Sequence, residues 1–193
     1  MRDIDIRLAL RKEMGKKHWG ETDTLIKEEL GLCQGFARID LAVVNGSVHG
    51  YEIKSEQDTL VRLPGQARIY NRTLDFVTVV AAPAHANKIR NIVPAWWGIW
   101  TAVQGDKEVR LETSREPSRN LNVDPFKFVQ FLWRDEALQA LTDRGLAAGI
   151  RSKPRDELWH RLASELTLEE LGRIVRDHLK RRGVGSRSPS SPG

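Results

Sequence analysis

Several features that define common protein classes are scarce in this sequence. It has a single cysteine, Cys33, so no disulfide can form within the chain, and a disulfide-stabilised extracellular scaffold is excluded. The least polar long segment, residues 91–103, contains Pro94 and is shorter than the roughly 20 apolar residues of a membrane span. The opening MRDIDIR is charged where a signal peptide is apolar. We therefore expect a soluble, cytoplasmic protein with no membrane contact.

The charge of the chain is unevenly distributed along its length. Residues 1–143 contain 20 Lys and Arg and 20 Asp and Glu, whereas residues 144–193 contain 11 and 6, which accounts for the net charge of +5. A basic end beside a neutral body favours an anionic partner, with nucleic acid the commonest candidate. A solvated helix surface followed by a frayed tail explains the same excess equally well.

The first half of the chain has the pattern of an α/β fold. DIDIRLALRKEMGKKH predicts an amphipathic helix that ends near Gly15. Three strands follow in TLIKEELGL, ARIDLAVVN and SVHGYEIKS, and Asn45-Gly46 favours a tight hairpin between the last two. The order then continues with a helix around QARIYNRTLD and the apolar strand FVTVVAAP. Helix, three strands, helix and strand together predict a mixed central sheet with helices packed on it.

The remaining segments predict a closing hairpin and a helical end. WWGIWTAVQGDKEVRLET, with its two leading tryptophans inside the strand, predicts a hairpin that turns at Gly105-Asp106. We expect a core over residues 1–114, a polar linker over 115–123 and a basic helical region over 124–182. Its first helix begins at Asp124-Pro125 and runs to about residue 145. Residues 183–193 have no apolar content to bury and are predicted to be disordered.

Two further helices are predicted in the basic region, and part of it has a recognisable pattern. KPRDELWHRLASEL is the first, and Thr167 with Glu170 forms a capping box that opens the second. The run ALQALTDRGLAAGIRSKPRDELWHRLASEL resembles the SAP motif, a small DNA-binding module. That resemblance implies that Arg151, Lys153 and Arg155 contact phosphates. The alternative is a helical bundle that caps the core or contacts a partner protein.

The hairpin around Asn45-Gly46 carries three charged residues in an unusual arrangement. Glu52 and Lys54 are two apart on one strand, so they share a face. Counting from the turn places Asp40 opposite about residue 51, and a twist or small bulge would bring its carboxylate to Glu52. Two such carboxylates suit Mg²⁺ or Mn²⁺, and a neighbouring ammonium can orient an attacking water. A surface salt bridge on an edge strand is the alternative explanation.

The same residues resemble a known enzyme superfamily. RID followed by EIK resembles the PD-(D/E)XK nucleases, whose restriction-endonuclease-like core has the order α-β-β-β-α-β. Gln66 and Tyr70, in QARIY, resemble the QxxxY element of the RecB-like branch, which includes Cas4-type nucleases. Ile39 stands where the superfamily has its name-giving proline. The whole chain is also similar to an uncharacterised family of small bacterial proteins assigned to this superfamily.

The resemblance implies a metal-dependent enzyme that hydrolyses phosphodiester bonds, most simply in DNA. It implies that Asp40, Glu52 and the main-chain carbonyl of Ile53 hold Mg²⁺ or Mn²⁺. It also implies an accessory acid at Glu29, to which Glu28 and Glu13 are alternatives. The catalytic residues implied in this way are Asp40, Glu52, Lys54, Gln66 and Tyr70.

Within that interpretation Lys54 positions the attacking water, and Gln66 orients Lys54 or the scissile phosphate. Arg62 and Arg68, which flank the start of the predicted QxxxY helix, are candidate phosphate contacts, and a solvated helix face explains them equally well. Two other functions remain open. One is a non-catalytic nucleic-acid-binding or assembly subunit that keeps the fold, and the other is an RNA-cleaving toxin or defence effector. A homodimer or a protein partner also remains open.

Overall fold

The computed structural model describes residues 1–105 and 108–185, and this part of the chain is an α/β fold. Its seven α-helices are α1 (Asp3–Lys17), α2 (Leu63–Thr73), α3 (Pro83–Arg90), α4 (Pro125–Phe128), α5 (Arg134–Thr142), α6 (Arg155–Glu165) and α7 (Leu168–Gly185). Its six strands are β1 (Leu25–Leu32), β2 (Ala37–Val44), β3 (Val48–Lys54), β4 (Phe76–Ala81), β5 (Gly98–Gln104) and β6 (Val109–Arg115). Short 3-10 turns occupy Cys33–Gly35 and Val129–Phe131.

The strands form one mixed sheet in which spatial order follows chain order. Strands β1, β2 and β3 are an antiparallel meander, β4 and β5 continue it in parallel, and β6 returns antiparallel at the far edge. The parallel step from β3 to β4 needs a crossover, which α2 supplies. The predicted α/β class and mixed sheet are therefore confirmed.

The hairpin between β2 and β3 places the predicted acidic residues side by side. Its turn closes with a hydrogen bond from the Asn45 amide to the Ser47 carbonyl at 3.0 Å. The register pairs Leu41 with Tyr51, where the pairing of the two strands ends. One step further along this register Asp40 lies beside Glu52. The predicted count was short by one residue, and the register needs no bulge to bring the two carboxylates together.

Helices cover both faces of the sheet. On one face α1 buries Ile6, Leu10 and Met14 against side chains of β2 and β3 in a smaller core. On the other face α2, α3 and the C-terminal helices bury a larger, continuous core. The catalytic candidates on β2 and β3 therefore lie in strands that are covered on both sides.

In the hairpin of β1 and β2, the side chains change from one face of the sheet to the other at a single position along the strands. Ile39 packs in the larger core and Leu41 in the smaller one, although residues two apart on a regular strand share a face. The level of the switch is marked on β1 by Glu29, whose φ of 55° is in the left-handed region and which lies between the pairs Glu28 with Leu41 and Leu30 with Ile39. Glu29 and Asp40 therefore lie opposite each other at the position where the two strands exchange their faces.

The C-terminal helices share the larger core with the sheet. Phe128, Leu158 and Val175 belong to the same cluster of buried residues as Ile39. In the predicted linker, Asn120 is buried and donates to the main-chain carbonyls of Asn71 at 2.8 Å and Leu74 at 2.9 Å. The division into 1–114 and 124–182 stays a prediction about folding units, and within the structure the two parts are joined by one core.

Three predicted boundaries are wrong in detail. The helix expected from Asp124-Pro125 to about residue 145 is interrupted by the 3-10 turn and by the extended residue Leu132, with φ of −79° and ψ of 136°. The carboxylate of Glu136 accepts from the Trp133 amide at 2.7 Å, which starts α5 as a separate helix. The start predicted for this segment is confirmed, because Asp124 accepts from the amides of the first helical turn.

The other two corrections concern a strand start and the tail. Strand β5 begins at Gly98, after Trp96 and Trp97, and Trp97 is instead buried with its indole NH donating to Asn71 at 2.8 Å. Helix α7 extends to Gly185, so residues 183–185, which were predicted to belong to the tail, are helical. Asp106 in the predicted turn and residues 186–193 of the tail lie outside the described residues. Among the described helices, none has the length and apolar character needed to cross a membrane.

Candidate active site

A cleft of about 970 Å³ opens over the ends of β2 and β3 and the start of α2. Its floor carries Asp40, Glu52 and Lys54, and its walls include Arg7, Glu29, Arg38, Arg62, Gln66 and Arg68. The hairpin register and the crossover helix thus bring most of the predicted site residues to one place. Tyr70, one turn beyond Gln66 on α2, does not line the cleft but is buried beneath it, where its hydroxyl contacts Glu52.

The base of the cleft holds a buried ion pair. Glu52 is 2% exposed and Lys54 is 3% exposed, and the Lys54 ammonium donates to Glu52 Oε1 at 2.7 Å. Removing two charges from water is unfavourable, and a buried pair is tolerated only when further hydrogen bonds satisfy its remaining polar atoms. Those further bonds come from α2.

Two side chains of α2 complete this network. Gln66 donates from Nε2 to Glu52 Oε1 at 2.7 Å, and its Oε1 accepts from Lys54 at 3.2 Å. The Tyr70 hydroxyl lies 2.7 Å from Glu52 Oε2 and 2.8 Å from the Arg38 carbonyl, to either of which it can donate. Burial and then the charge of Glu52 raise the pKa of Tyr70 well above its usual range, which keeps it a neutral donor. The spacing of four in QxxxY is what aligns both side chains on this pair.

Asp40 lies at the mouth of the same network. Its Oδ2 accepts from the Ile53 amide at 2.7 Å, and its Oδ1 accepts from Arg7 at 3.2 Å. Arg7 also donates to the Asp40 carbonyl at 3.2 Å. Burial first, and the nearby charge of Glu52 second, raise the pKa of Asp40 to about 6. The two carboxylates are therefore close enough to repel each other.

Glu29 is the acid of the three accessory candidates that lines the cleft. Its carboxylate lies 3.5 Å from Arg7 and 2.5 Å from Arg38. Glu28 instead pairs with Arg11 at 2.9 Å, and Glu13 is exposed on α1. The sequence alternatives for this position are thus separated by location, and Glu29 is the one placed opposite Asp40.

Within the described residues, no group of three or more His, Cys, Asp and Glu side chains is arranged to hold a metal ion. Mg²⁺ does not require such a group, because it commonly binds through one or two carboxylates and keeps several waters. Asp40 and Glu52 provide two carboxylates whose mutual repulsion a cation would relieve. The Ile53 amide points to Asp40, and in a strand the carbonyl of the same residue faces the same edge. The donor set therefore fits a small oxygen-preferring cation.

The basic residues separate into two sets. Arg62, with Arg38 and Arg68, lines the cleft, whereas Arg151, Lys153 and Arg155 do not. Lys153, just before α6, pairs with Glu157 of that helix at 3.4 Å, and the Arg155 guanidinium bonds the side chain of Gln34 at 2.7 Å. The predicted phosphate-binding role of the C-terminal set has no counterpart in the lining of this cleft.

Some cleft residues had no signal that pointed to the site. Arg7 pairs with Asp3 at 3.2 Å, a spacing of four that indicates a helix and nothing more. Phe36 and Val61 follow no motif, yet both line the cleft and are 84% exposed. Their contribution depends on how the chain folds in three dimensions, and local patterns do not encode it.

Comparisons with known proteins place the chain in one family. A family model described as Bacteriophage P4 protein cII matches residues 3–188. Protein cII of Enterobacteria phage P4 is 27% identical over 182 residues, which cover 94% of this chain and 68% of that protein. No solved structure matches the chain significantly. The match to the family model extends over both the sheet and the C-terminal helices, and the chain belongs to the bacteriophage P4 protein cII family.

Proposed function

We propose that this protein is a metal-dependent nuclease with a restriction-endonuclease-like core, which hydrolyses phosphodiester bonds and most simply those of DNA. The observation that carries the proposal is the buried pair of Glu52 and Lys54 at the base of an open cleft, with Asp40 beside it. A buried ion pair adds little net stability compared with apolar residues of the same volume. Desolvated charges in a cleft, beside a carboxylate such as Asp40 whose pKa is raised, are typical of functional sites.

Each group of the site has a chemical role in this proposal. Asp40, Glu52 and the Ile53 carbonyl would hold Mg²⁺ or Mn²⁺, with Glu29 as the accessory acid. The cation, when bound, supplies stabilisation of the negative charge that develops on the phosphoryl group. The Lys54 ammonium orients the attacking water and offsets the same charge. Gln66 fixes the ammonium and Glu52 relative to each other, because it donates to one and accepts from the other.

The walls of the cleft provide the contacts that a nucleic acid needs around the scissile bond. Arg38, Arg62 and Arg68 place cations next to the acidic floor. Contacts of arginine to phosphate position a strand without reading its sequence. They would also offset the repulsion between the substrate and the two carboxylates, which makes the cleft suitable for a polyanion.

A cleavage assay tests this proposal. The purified full chain is incubated with single-stranded, linear duplex, supercoiled and branched DNA and with RNA, in Mg²⁺, Mn²⁺ or EDTA. We expect cleavage of at least one substrate that requires a divalent cation. Glu52→Gln should reduce the rate at least about 100-fold, because it removes a ligand charge. Glu28→Gln, an acid one residue from Glu29 and outside the cleft, is the matched control and should keep the wild-type rate.

A second candidate function is supported by one observation. Every carboxylate oxygen of Asp40 and Glu52 lies within hydrogen-bond distance of a protein donor, so the chain's own groups can satisfy the network. A nucleic-acid-binding subunit that does not hydrolyse its ligand would have such a network. That function is the better one if the wild type binds members of the panel and cleaves none. Cleavage of RNA alone would favour the effector alternative.

A further inference from the structure

The turn between β1 and β2 presents an exposed aromatic ring at the cleft. Three consecutive residues have left-handed backbone angles, with φ of 47° at Cys33, 61° at Gln34 and 90° at Gly35. Two of them are not glycine, so this conformation is unfavourable and persists only where the surrounding structure holds it. The residue that follows is Phe36, which is 84% exposed and lines the cleft.

The turn is anchored on both sides. Leu32 before it and Ala37 after it pack in the larger core. From the C-terminal region, Arg155 donates to the side chain of Gln34 at 2.7 Å, and its guanidinium lies 4.6 Å from the centre of the Trp159 ring. Two residues beyond Phe36, the Arg38 carbonyl accepts from Tyr70 at 2.8 Å. The Tyr70 hydroxyl also contacts Glu52. The backbone at Phe36 is therefore held at a fixed position relative to Glu52.

A second segment brings another exposed apolar side chain to the same cleft. Val61, just before α2, is also 84% exposed, and Arg62 follows it. Exposure of large apolar side chains to water is unfavourable, and a ligand that covers them gains free energy of binding. The same cleft is lined by Arg38, Arg62 and Arg68, so a suitable ligand has a flat apolar surface and closely spaced negative charges.

An unpaired nucleotide has both properties. Its base offers an aromatic face for stacking, and its backbone offers phosphates for the arginines. In a duplex the faces of the bases are stacked on one another and are not available to a side chain. We propose that Phe36 is a stacking platform for an unpaired base, with Val61 as a second apolar contact, and that the site takes strands with unpaired bases beside the scissile phosphate. This inference rests on the proposed function and names the substrate class of the same site.

Binding in EDTA tests this proposal without hydrolysis. Fluorescence anisotropy is measured on the full chain with a labelled single strand of about 15 nucleotides, as DNA and as RNA, and with a blunt DNA duplex. We expect Phe36→Ala to weaken binding of the single strand about 5- to 150-fold. Phe36→Tyr keeps the ring and should bind as the wild type does. The affinity for the duplex should be the same for all of these proteins.

Leu121→Ala is the matched control, because Leu121 is 86% exposed but does not line the cleft. It should leave all affinities unchanged. The two single strands show whether the platform accepts DNA, RNA or both, and a preference for either one agrees with the proposal. Equal single-strand binding by Phe36→Ala and the wild type would overturn it. So would an equal loss on single strands and duplex, or no binding of single strands by the wild type.

The failure of this inference is distinguishable from the failure of the proposed function. If the chain cleaves nucleic acid but Phe36→Ala binds normally, the enzyme holds its strand by other contacts and the platform is wrong. If Phe36→Ala loses single-strand binding while the wild type cleaves nothing, the platform is right and the chain is a binding protein.

Discussion

Charged side chains at the floor of the cleft are buried and bonded to one another, whereas those of α5 to α7 lie mostly at the surface. In the cleft, Glu52 and Lys54 share Gln66 as a common partner. In the C-terminal region, Arg161 pairs with Glu165 at 3.2 Å, four residues along the same helix, and each side chain is 41% exposed. Both arrangements pair a cationic side chain with a glutamate, but only the first pays a desolvation penalty.

This contrast shows what charge along a sequence does and does not indicate. The excess of Lys and Arg after residue 143 suggested that nucleic acid is held at the C-terminal end. The structure instead lines its cleft with arginines from the part of the chain in which charges balance. Arg155 acts across the boundary, since it bonds Gln34 in the turn that presents Phe36. Under the proposed function, a buried charge is therefore a better guide to the site than an excess of charge along the sequence.

The largest expected difference between the two regions is in stability. Lys54→Met leaves Glu52 buried without its cation and should lower the free energy of unfolding by roughly 3–5 kcal/mol. Arg161→Met breaks an exposed pair and should lower it by about 0–1 kcal/mol. Urea unfolding followed by circular dichroism measures both.

The double variant Glu52→Gln with Lys54→Met sharpens this result. Because it removes both charges, it should be more stable than Lys54→Met alone. An equal decrease in the free energy of unfolding for Lys54→Met and Arg161→Met would contradict the burial of the pair formed by Glu52 and Lys54.

A smaller and opposite effect is expected at Asp40. Its pKa is raised to about 6, so the folded protein holds this proton more tightly than the unfolded chain does, and ionisation costs stability as the pH rises from about 4 to 6. Asp40→Asn has no charge to bury and should therefore be more stable than the wild type at pH 7.5, by about 1–3 kcal/mol, with the advantage shrinking towards pH 4.5.

Urea unfolding of Asp40→Asn and the wild type at the two pH values checks this expectation. The same variant should be inactive, because it loses a ligand charge. A stability difference that grows towards low pH would contradict the assignment of the shift to Asp40.

The smallest expected effects concern the salt dependence of binding. Replacing Arg62 and Arg68 with Gln should lower the slope of log affinity against log salt by about 1–2, as expected for two lost phosphate contacts. Replacing Arg151 and Lys153 with Gln should change it by less than about 0.5, because neither residue lines the cleft. Fluorescence anisotropy over a range of NaCl concentrations gives both slopes. An equal drop for the C-terminal pair would support the phosphate contacts that the SAP resemblance implies.

Much of the fold was accessible from the sequence because its signals are local. Asn45-Gly46 fixed one hairpin, and the period of the apolar residues identified the strands of the meander and the helix that carries Gln66 and Tyr70. The interruption of the helix after Phe128 was missed, because the helix-forming sequence continues across Leu132, which is extended in the structure, and Trp133, whose amide Glu136 caps.

The candidate site was accessible where a strand, a hairpin or a family motif carries its residues. Glu52 and Lys54 follow from a spacing of two and Asp40 from counting across the hairpin, whereas Gln66 and Tyr70 follow from the resemblance of QARIY to the QxxxY element. The contact of Arg7 with Asp40 depends on how α1 crosses the sheet, and the exposure of Phe36 depends on a turn with left-handed residues. The reversal of faces at Glu29 is likewise invisible to an alternation rule that assumes a regular strand.

One matched pair of lysine substitutions tests the central claim most directly. The cleavage rate of the preferred substrate in Mg²⁺ is measured for Lys54→Met and for Lys153→Met, one in each region. The account predicts a loss of at least about 100-fold for Lys54→Met, in protein that remains folded by circular dichroism, and a wild-type rate for Lys153→Met. Wild-type cleavage by Lys54→Met, or an equal loss in both variants, would contradict it.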